Sequence, residues 1–178
     1  MHQLVPFLIA EGTRWVAAQR EHHCHLGRQL SEKEWTSLAP YFTANTLEAV
    51  RVHDVPLIEN PDFYRTISAV GQRIPLDFSQ MSGITFIDTI VIAKQRLQPG
   101  WEAWLSLLFH ECVHVCQYEL LGLERFIEQY VQGWAQNGFN YYAIPLEVQA
   151  YQLQGAFETK GQILSVEKAV GLSVDGKT

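Results

Sequence analysis

The chain has few cysteines and few basic residues for its length. It contains 178 residues, of which 3 are Cys, 13 are Lys or Arg and 19 are Asp or Glu, and its net charge is −6. Three cysteines are too few for a disulfide framework, so we expect a reducing compartment. The basic residues are thinly spread and form no stripe. We therefore expect no binding to the phosphate backbone of a nucleic acid.

Long apolar runs, internal repeats and low-complexity stretches are also absent from the sequence. The longest apolar run near the start, residues 4–10, contains Pro6, is followed by Glu11 and has no Lys or Arg before it. A secretory signal needs a basic start and a longer apolar stretch. No window approaches the roughly 20 apolar residues of a membrane span. We therefore expect a soluble, cytoplasmic protein with no membrane partner.

What remains is an ordinary globular composition, 47% hydrophobic and 18% charged, at a length typical of one domain. Helical periodicity, turn residues and β-branched runs divide the chain into short elements. A Ser-x-x-Glu capping box at Ser31 and Glu34 should begin a short helix that ends near Pro40. We expect further helices over residues 4–25, 61–70, 101–121, 123–134 and 144–158, a strand over 50–53, and a strand over 84–93 that could form a tight hairpin at Ile87 and Asp88.

These elements predict a helix-rich α+β fold with a single domain over residues 1–158. Its core should cover about residues 50–158, with N-terminal helices in residues 1–40. The predicted strands should form a small β-sheet. The sequence of residues 159–178 gives little indication of secondary structure, and we expect a loosely held C-terminal tail there.

The most informative segment is the His-Glu-x-x-His pattern of residues 110–114, on a predicted helix that is apolar on nearly every side. His110 and His114 are one helical turn apart, so their rings can converge on one metal ion. Glu111 is then placed beside the open position of that metal, where it can act as a general base. The simpler interpretation is a pair of core histidines bonded to their neighbours, with Glu111 at a solvated edge.

A catalytic zinc normally has three protein ligands and one water. The sequence has no histidine after His114, so the third ligand must be a carboxylate. We choose Glu147, because it lies in the first turn of a separate predicted helix and because Ala150, on the same face, is small enough to let two helices approach closely. The simpler role for Glu147 is a surface carboxylate near a helix N-terminus. The other candidates are Glu119, Glu124, Glu128 and Glu158.

These residues resemble a known group of enzymes. His110-Glu111-Cys112-Val113-His114, followed by a glutamate on a later helix, is similar to the pattern of the gluzincin metallopeptidases. More narrowly, residues 83–86, 107–111 and 144–151 resemble small bacterial minimal-zincin domains of unassigned function, and the resemblance covers about residues 50–158. It implies a sheet, the motif helix beneath it and a glutamate helix packed against that helix. Cys112 and Cys116 depart from the pattern, since aliphatic residues are more usual there.

The sequence therefore predicts a zinc-dependent hydrolase, most simply a peptidase, with one Zn²⁺ per chain held by His110, His114 and Glu147. Glu111 would take a proton from the zinc-bound water, which attacks the carbonyl of a peptide or protein substrate, and would pass that proton to the leaving amine. The strand at 84–93 would align an extended substrate by pairing with it.

Two alternatives to the hydrolase are open. In the first, zinc only staples two helices of a catalytically silent module that docks onto a protein partner. In the second, the chain is a metal-free helical interaction protein. Metal content and the effect of replacing Glu111 would separate these alternatives from the hydrolase.

Two clusters of reactive residues have simpler structural interpretations. Cys112 and Cys116 should face the core as buried thiols, because free cysteine is among the most buried residue types. Residues 22–25, His-His-Cys-His, point in different directions on a helix, so we expect a solvated helix end there rather than a metal site.

Residues that support the predicted zinc ligands can also be suggested. Asp88 and Gln117 are candidate partners for the second ring nitrogens of the two histidines. Tyr141, Tyr142 and Tyr151 are close to Glu147 in the sequence and could donate a hydrogen bond to a developing oxyanion. Packing is the ordinary role of aromatic residues at such positions, and no single tyrosine is preferred.

Overall fold

The computed structural model describes residues 2–72, 74–160 and 165–174. It confirms a helix-rich α+β domain with a small sheet. Within the described ranges, no helix combines the length and the apolar character needed to cross a membrane. The elements are α1 (Val5–Cys24), α2 (Glu32–Leu38), α3 (Ala44–Ala49), β1 (Arg51–Val55), α4 (Phe63–Ala69), β2 (Gly83–Phe86), β3 (Thr89–Ala93), α5 (Trp101–Gln136), α6 (Pro145–Glu158) and α7 (Val166–Val174), with 3₁₀ helices at His2–Leu4, Phe78–Gln80 and Tyr141–Ala143.

Local sequence signals set the ends of several elements as predicted. The backbone N–H of Glu34 donates to Ser31 Oγ at 3.3 Å, and the backbone N–H of Ser31 donates to the Glu34 carboxylate at 2.7 Å, so the capping box begins α2. Pro145 is the first residue of α6. Gly122, with φ 73° and ψ 163°, interrupts α5 where the sequence predicts the end of one helix and the start of the next.

The sheet has the strand order β1-β3-β2, with β3 in the centre. β1 pairs with β3 in parallel and β2 pairs with β3 antiparallel, so the predicted strand at 84–93 is a hairpin that turns at Ile87 and Asp88. Ile87 adopts a φ of 64°, which β-branched residues rarely do. The Asp88 carboxylate accepts a hydrogen bond from Arg20 Nη2 at 2.7 Å, which ties this turn to α1. In the described sheet, β2 is an edge strand with one side unpaired.

α5 is the central element of the domain and contacts α1, α6, α7 and β2. Every residue from 108 to 118 is buried, as the apolar character of this segment predicts. Its apolar side chains pack against the sheet and the neighbouring helices, and this packing carries His110, Glu111, His114 and Gln117 into the interior. Buried polar groups are unfavourable unless they are paired, so these four side chains require partners.

The segment after Glu158 differs from the loosely held tail that the sequence suggests. It contains α7, which packs against α5. Val166 and Val170, one turn apart, are fully buried in the core, and the backbone N–H of Val166 donates to the carbonyl of Tyr41 at 3.0 Å. Two valines in nine residues are too short a pattern to predict a docked helix. Residues 161–164 and 175–178 of that expected tail lie outside the described residues.

Gly133 lies where the start of α6 meets α5. A Cβ built on Gly133 would be 2.6 Å from Cδ of Pro145. Because Pro145 is fixed in the first turn of α6, Gly133→Ala should push the helices apart. Overpacking of this kind lowers the free energy of unfolding by about 1–3 kcal/mol, and the gain in helix propensity offsets about 1 kcal/mol of that loss. We therefore expect a net destabilisation of up to about 2 kcal/mol.

Gly155→Ala in α6 is the matched control for Gly133→Ala. No heavy atom lies within 4 Å of the Cβ position of Gly155. This variant should raise the free energy of unfolding by about 0.5–1 kcal/mol, the ordinary gain of alanine over glycine in a helix. Urea unfolding followed by circular dichroism measures both variants. Equal stabilisation in the two would contradict a tight contact at Gly133.

Candidate metal centre

Three predicted ligands meet at one point in the interior. The Nε2 atoms of His110 and His114 on α5 are 3.2 Å apart. Oε2 of Glu147, in the first turn of α6, lies 3.4 Å from Nε2 of His110 and 3.5 Å from Nε2 of His114. All three side chains are buried. Among the described residues, they are the one group of three or more His, Cys, Asp or Glu side chains that could hold a metal ion.

The spacing of these atoms fits a tetrahedral metal. Ligand atoms about 2.0–2.1 Å from a tetrahedral zinc lie about 3.3 Å from one another. The two carboxylate oxygens of Glu147 have different surroundings. Oε1 accepts a hydrogen bond from the Tyr130 hydroxyl at 2.7 Å, whereas Oε2 is buried and accepts none from the described residues. A buried carboxylate oxygen without a donor is unfavourable, and a cation among the three ligand atoms would satisfy it.

The electrostatics of the triad favour a positive charge between the ligands. Burial alone would raise the pKa of Glu147, but the charges of His114 and His110 lower it well below its usual range. Burial alone would lower the pKa of His114, but the Glu147 carboxylate raises it to about 9. Both shifts show that the site attracts cationic charge. A divalent metal ion would compete for this position with the proton.

Two glutamine side chains orient the histidine rings. Gln117 Oε1 accepts a hydrogen bond from Nδ1 of His114 at 2.7 Å, and Gln154 Oε1 accepts one from Nδ1 of His110 at 3.0 Å. Because an amide oxygen only accepts, each Nδ1 carries a proton, so the neutral ring has its lone pair on Nε2, the ring nitrogen that lies near Glu147. This tautomer is the one that a metal-binding histidine needs.

One of these partners was predicted and the other was not. Gln117 shares the polar stripe of the histidines on α5 and could be found from the sequence. The prediction for Asp88 was wrong, because its carboxylate pairs with Arg20 and the hydroxyl of Thr89 instead. Gln154 was missed, although it follows Glu147 by seven residues and therefore lies on the same face of α6.

Replacing Gln154 should weaken metal binding without removing a ligand. Gln154→Ala frees the His110 ring to rotate and to change tautomer, and losses of this kind typically reduce metal affinity by about 10–100-fold. Gln152→Ala, an exposed glutamine of the same helix, is the matched control and should keep the wild-type affinity. Competition with a zinc-binding chromophore measures both. Equal zinc affinity in the two variants would show that Gln154 does not orient His110.

Glu111 is held beside the triad by strand β2. The Thr85 hydroxyl donates to Oε2 of Glu111 at 2.7 Å, which fixes the carboxylate in the interior. Gly83 makes room for the other oxygen, since a Cβ there would lie 2.6 Å from Oε1. Burial raises the pKa of Glu111, against the opposing effect of the two histidines and of the Thr85 hydrogen bond. Glu111 is therefore not at a solvated edge.

The tyrosines near Glu147 have different positions. Tyr141 is half-buried near the triad, and burial and the Glu147 charge raise its pKa. The ring of Tyr151 lies over His110, with 4.5 Å between ring centroids, and Tyr142 is 71% exposed. Tyr130, which donates to Glu147, was missed because helical spacing assigns it to the apolar face of α5.

The remaining predicted clusters do not join the site. The thiols of Cys112 and Cys116 are free and buried, and burial raises the pKa of each. Of the histidines at 22–25, the Nδ1 atom of His23 forms a hydrogen bond with Nδ1 of His53 at 2.8 Å, and Nε2 of His25 lies 3.4 Å from the Glu21 carboxylate.

The other carboxylates considered as the third ligand are not part of the triad. Three of them accept hydrogen bonds from other side chains: Glu119 from Thr46, Glu128 from Gln132, and Glu158 from Ser106 and Gln154. Glu124 is exposed.

Two cavities meet at Glu111. An open groove of about 920 Å³ runs past His110, the start of β2 and the first half of α5. A smaller cavity of about 110 Å³ lies beside His114 and Glu147, between α1, α4 and α5. The residues that line both are Leu76, Met81, Gly83, Glu111 and Tyr141. A molecule in the groove therefore reaches Glu111 and the triad from one side.

Comparisons with protein families, with characterised proteins and with solved structures give no match to this chain. The similarity to gluzincins therefore stays a prediction from the motif residues. Function is inferred below from the geometry of the triad, of Glu111 and of the two cavities.

Proposed function

We propose that this protein is a zinc-dependent hydrolase of gluzincin type, most simply a peptidase. Its metal ligands are His110, His114 and Glu147, and Glu111 is its general base. The observation that carries the proposal is the position of Glu111: a buried carboxylate adjacent to a complete set of three ligands, where an open groove meets the interior. A site that only stapled two helices would have no need of a carboxylate facing a groove.

The ligand set favours a catalytic zinc over a structural one. Two imidazoles and one carboxylate are a known catalytic combination for zinc, and three protein ligands leave one position open, whereas structural sites usually use four. A bound zinc supplies a Lewis acid that lowers the pKa of water and polarises a carbonyl. One zinc per chain follows from the single described triad. The three free thiols support a reducing compartment, for which we propose the cytoplasm.

Glu111 performs the proton transfers in this mechanism. Its carboxylate accepts a proton from the attacking water and returns it to the leaving amine. The Thr85 hydroxyl holds Oε2, so the carboxylate keeps one orientation through both transfers. Gly83 leaves the space beside Oε1 free of a side chain. A positioned base of this kind avoids reorganisation during the reaction.

Strand β2 is suited to align the substrate. It is an edge strand of the described sheet, and its first residue Gly83 lines the groove. An extended peptide in the groove can pair with the free backbone groups of an edge strand. That pairing would place a peptide carbonyl next to Glu111, because Thr85 of the same strand already contacts it.

Metal content and cleavage together test the proposal. Protein purified without a His tag and supplied with zinc should contain about one zinc per chain by inductively coupled plasma mass spectrometry. It should cleave members of a broad peptide library, lose this activity with a chelator and regain it when zinc is added. Zinc content far below one per chain after zinc addition would contradict the metal centre. Cleavage that survives complete zinc removal would contradict the mechanism.

A further inference from the structure

Two histidines outside the triad also bring their ring nitrogens together. His23, near the end of α1, and His53, in the middle of β1, have their Nδ1 atoms 2.8 Å apart. Both side chains are half-buried. The His-His-Cys-His run at residues 22–25 offers no converging ligands by itself, because consecutive residues of a helix point in different directions. The fold supplies the second imidazole from a strand, 30 residues later in the sequence.

The His23 ring is oriented in the same way as the rings of the triad. Its Nε2 lies 3.2 Å from Oε1 of Gln19, and an amide oxygen only accepts. Nε2 of His23 therefore carries a proton, and the neutral ring has its lone pair on Nδ1, next to His53. The ring also stacks on the buried Phe86, with 6.1 Å between centroids and 9° between ring planes. A ring that is already fixed loses little freedom when it binds a ligand.

The distance between the two Nδ1 atoms indicates which ligand suits them. Imidazole nitrogens lie about 2.0–2.1 Å from a divalent transition metal. Two nitrogens at a right angle around such an ion are about 2.8–3.0 Å apart, whereas tetrahedral ligands are about 3.3 Å apart. The 2.8 Å between His23 and His53 matches the right-angle arrangement, which is typical of Ni²⁺ and Cu²⁺. Because both rings are only half-buried, water can reach the remaining coordination positions.

We propose that His23 and His53 form a second metal site, which takes one divalent transition-metal ion with right-angle ligand geometry, such as Ni²⁺, and links the end of α1 to β1. Each histidine supplies one neutral imidazole, and water completes the coordination. This site is independent of the proposed hydrolase. With two protein ligands and no anionic one, it should bind an ion more weakly than the triad does. Protein that is desalted after zinc loading therefore still holds about one zinc per chain.

Nickel binding to the zinc-loaded, desalted full chain tests the proposal. Isothermal titration calorimetry should show about one Ni²⁺ per chain, and metal analysis by mass spectrometry should show that the zinc is retained. His23→Ala and His53→Ala each remove one of the two ligands. Each should weaken nickel binding at least about 10-fold, since loss of a residue that only orients a ligand already does so. His25→Ala, at an exposed histidine of the same run beside Glu21, is the matched control and should keep the wild-type affinity.

The unfolding temperature gives a second readout. Nickel should raise it in the zinc-loaded wild type and in His25→Ala, because an ion that links two elements binds only the folded state. It should not raise it in His23→Ala or His53→Ala. If these two variants do not fold, nuclear magnetic resonance on the wild type takes their place. Nickel should then shift or broaden the ring signals of His23 and His53 at lower concentrations than those of His25.

The results that would overturn the second site are specific. No nickel bound beyond the zinc would mean that the contact is a hydrogen bond between the two rings and nothing more. Nickel that binds equally well to both alanine variants, or that is lost with His25→Ala instead, would place the ion on other residues. Nickel that is lost with His23→Ala and His53→Ala, from a chain whose triad holds no zinc, would overturn the proposed function and support the second site.

Discussion

Glu147→Ala should lose zinc binding while keeping the fold. The substitution removes the one anionic ligand of the triad and leaves two neutral imidazoles, 3.2 Å apart between their Nε2 atoms, to hold a dication. Loss of a residue that only orients a ligand already reduces metal affinity by about 10–100-fold, so loss of the ligand itself should reduce it by at least 100-fold. Chelator competition with wild type and variant at equal concentration measures the change.

Stability measurements separate this effect from misfolding. Zinc should raise the unfolding temperature of the wild type, because a ligand that binds only the folded state stabilises it. It should not raise that of Glu147→Ala. Without zinc, the variant should still unfold cooperatively but be less stable than wild type, because the Tyr130 hydroxyl loses its acceptor and His114 loses the carboxylate that raises its pKa.

Glu124→Ala and Glu128→Ala are matched controls for Glu147→Ala. Both are exposed glutamates of α5 that the sequence left open as third ligands. Each should keep the wild-type zinc affinity and the zinc-dependent rise in unfolding temperature. Zinc retention in Glu147→Ala equal to that of these two variants would show that Glu147 is not a ligand.

The convergence of His110, His114 and Glu147 could be predicted from the sequence because its geometry is mostly local. His110 and His114 belong to one regular helix, where a separation of four residues places two side chains on one face. Glu147 was harder, because it required α5 and α6 to approach closely. Gly133 and Ala150 permit that approach, and Ala150 was the signal that the sequence offered.

The contacts of Tyr130 with Glu147 and of Thr85 with Glu111 could not be predicted, because they depend on how far two elements are rotated about each other. Tyr130 has the helical spacing of a core residue. Its hydroxyl group nevertheless donates a hydrogen bond to Glu147, and the interruption of α5 at Gly122 sets the direction of the helix segment that carries Tyr130. Thr85 alternates with Ile84 in a strand, and the sequence does not say which of the two faces α5. In both cases the sequence identifies a side chain that can form a hydrogen bond, but it does not give the direction in which that side chain points.

Long-range ion pairs are a second source of error. The sequence analysis suggested Asp88 as a candidate partner for a ring nitrogen of the histidines. In the structure its carboxylate binds Arg20, which is 68 residues away in the sequence. That pair fixes the hairpin turn, where Ile87 has a φ of 64°. The choice between a metal-site partner and a turn partner depends on where α1 lies, and no local pattern specifies that.

Glu111→Gln should abolish peptide hydrolysis while leaving the zinc and the fold in place. The glutamine has nearly the size of glutamate, and its amide oxygen can still accept the hydrogen bond that Thr85 donates at 2.7 Å. It cannot accept the proton of the attacking water. General-base assistance is typically worth about 10²–10⁴-fold, so the rate of cleavage should fall by at least about 100-fold. Cleavage rates on a library-derived peptide and zinc content are measured for both proteins.

Glu119→Gln is the matched control for Glu111→Gln, because it makes the same exchange on the same helix. Glu119 also accepts a hydrogen bond from a threonine, Thr46, at 2.9 Å, but it lies outside both cavities. This variant should cleave at the wild-type rate. Equal cleavage by wild type and Glu111→Gln would refute Glu111 as the base. If fully zinc-loaded wild type cleaves nothing in the library, the result favours the zinc-stapled interaction module, for which Glu111→Gln changes neither zinc content nor partner binding.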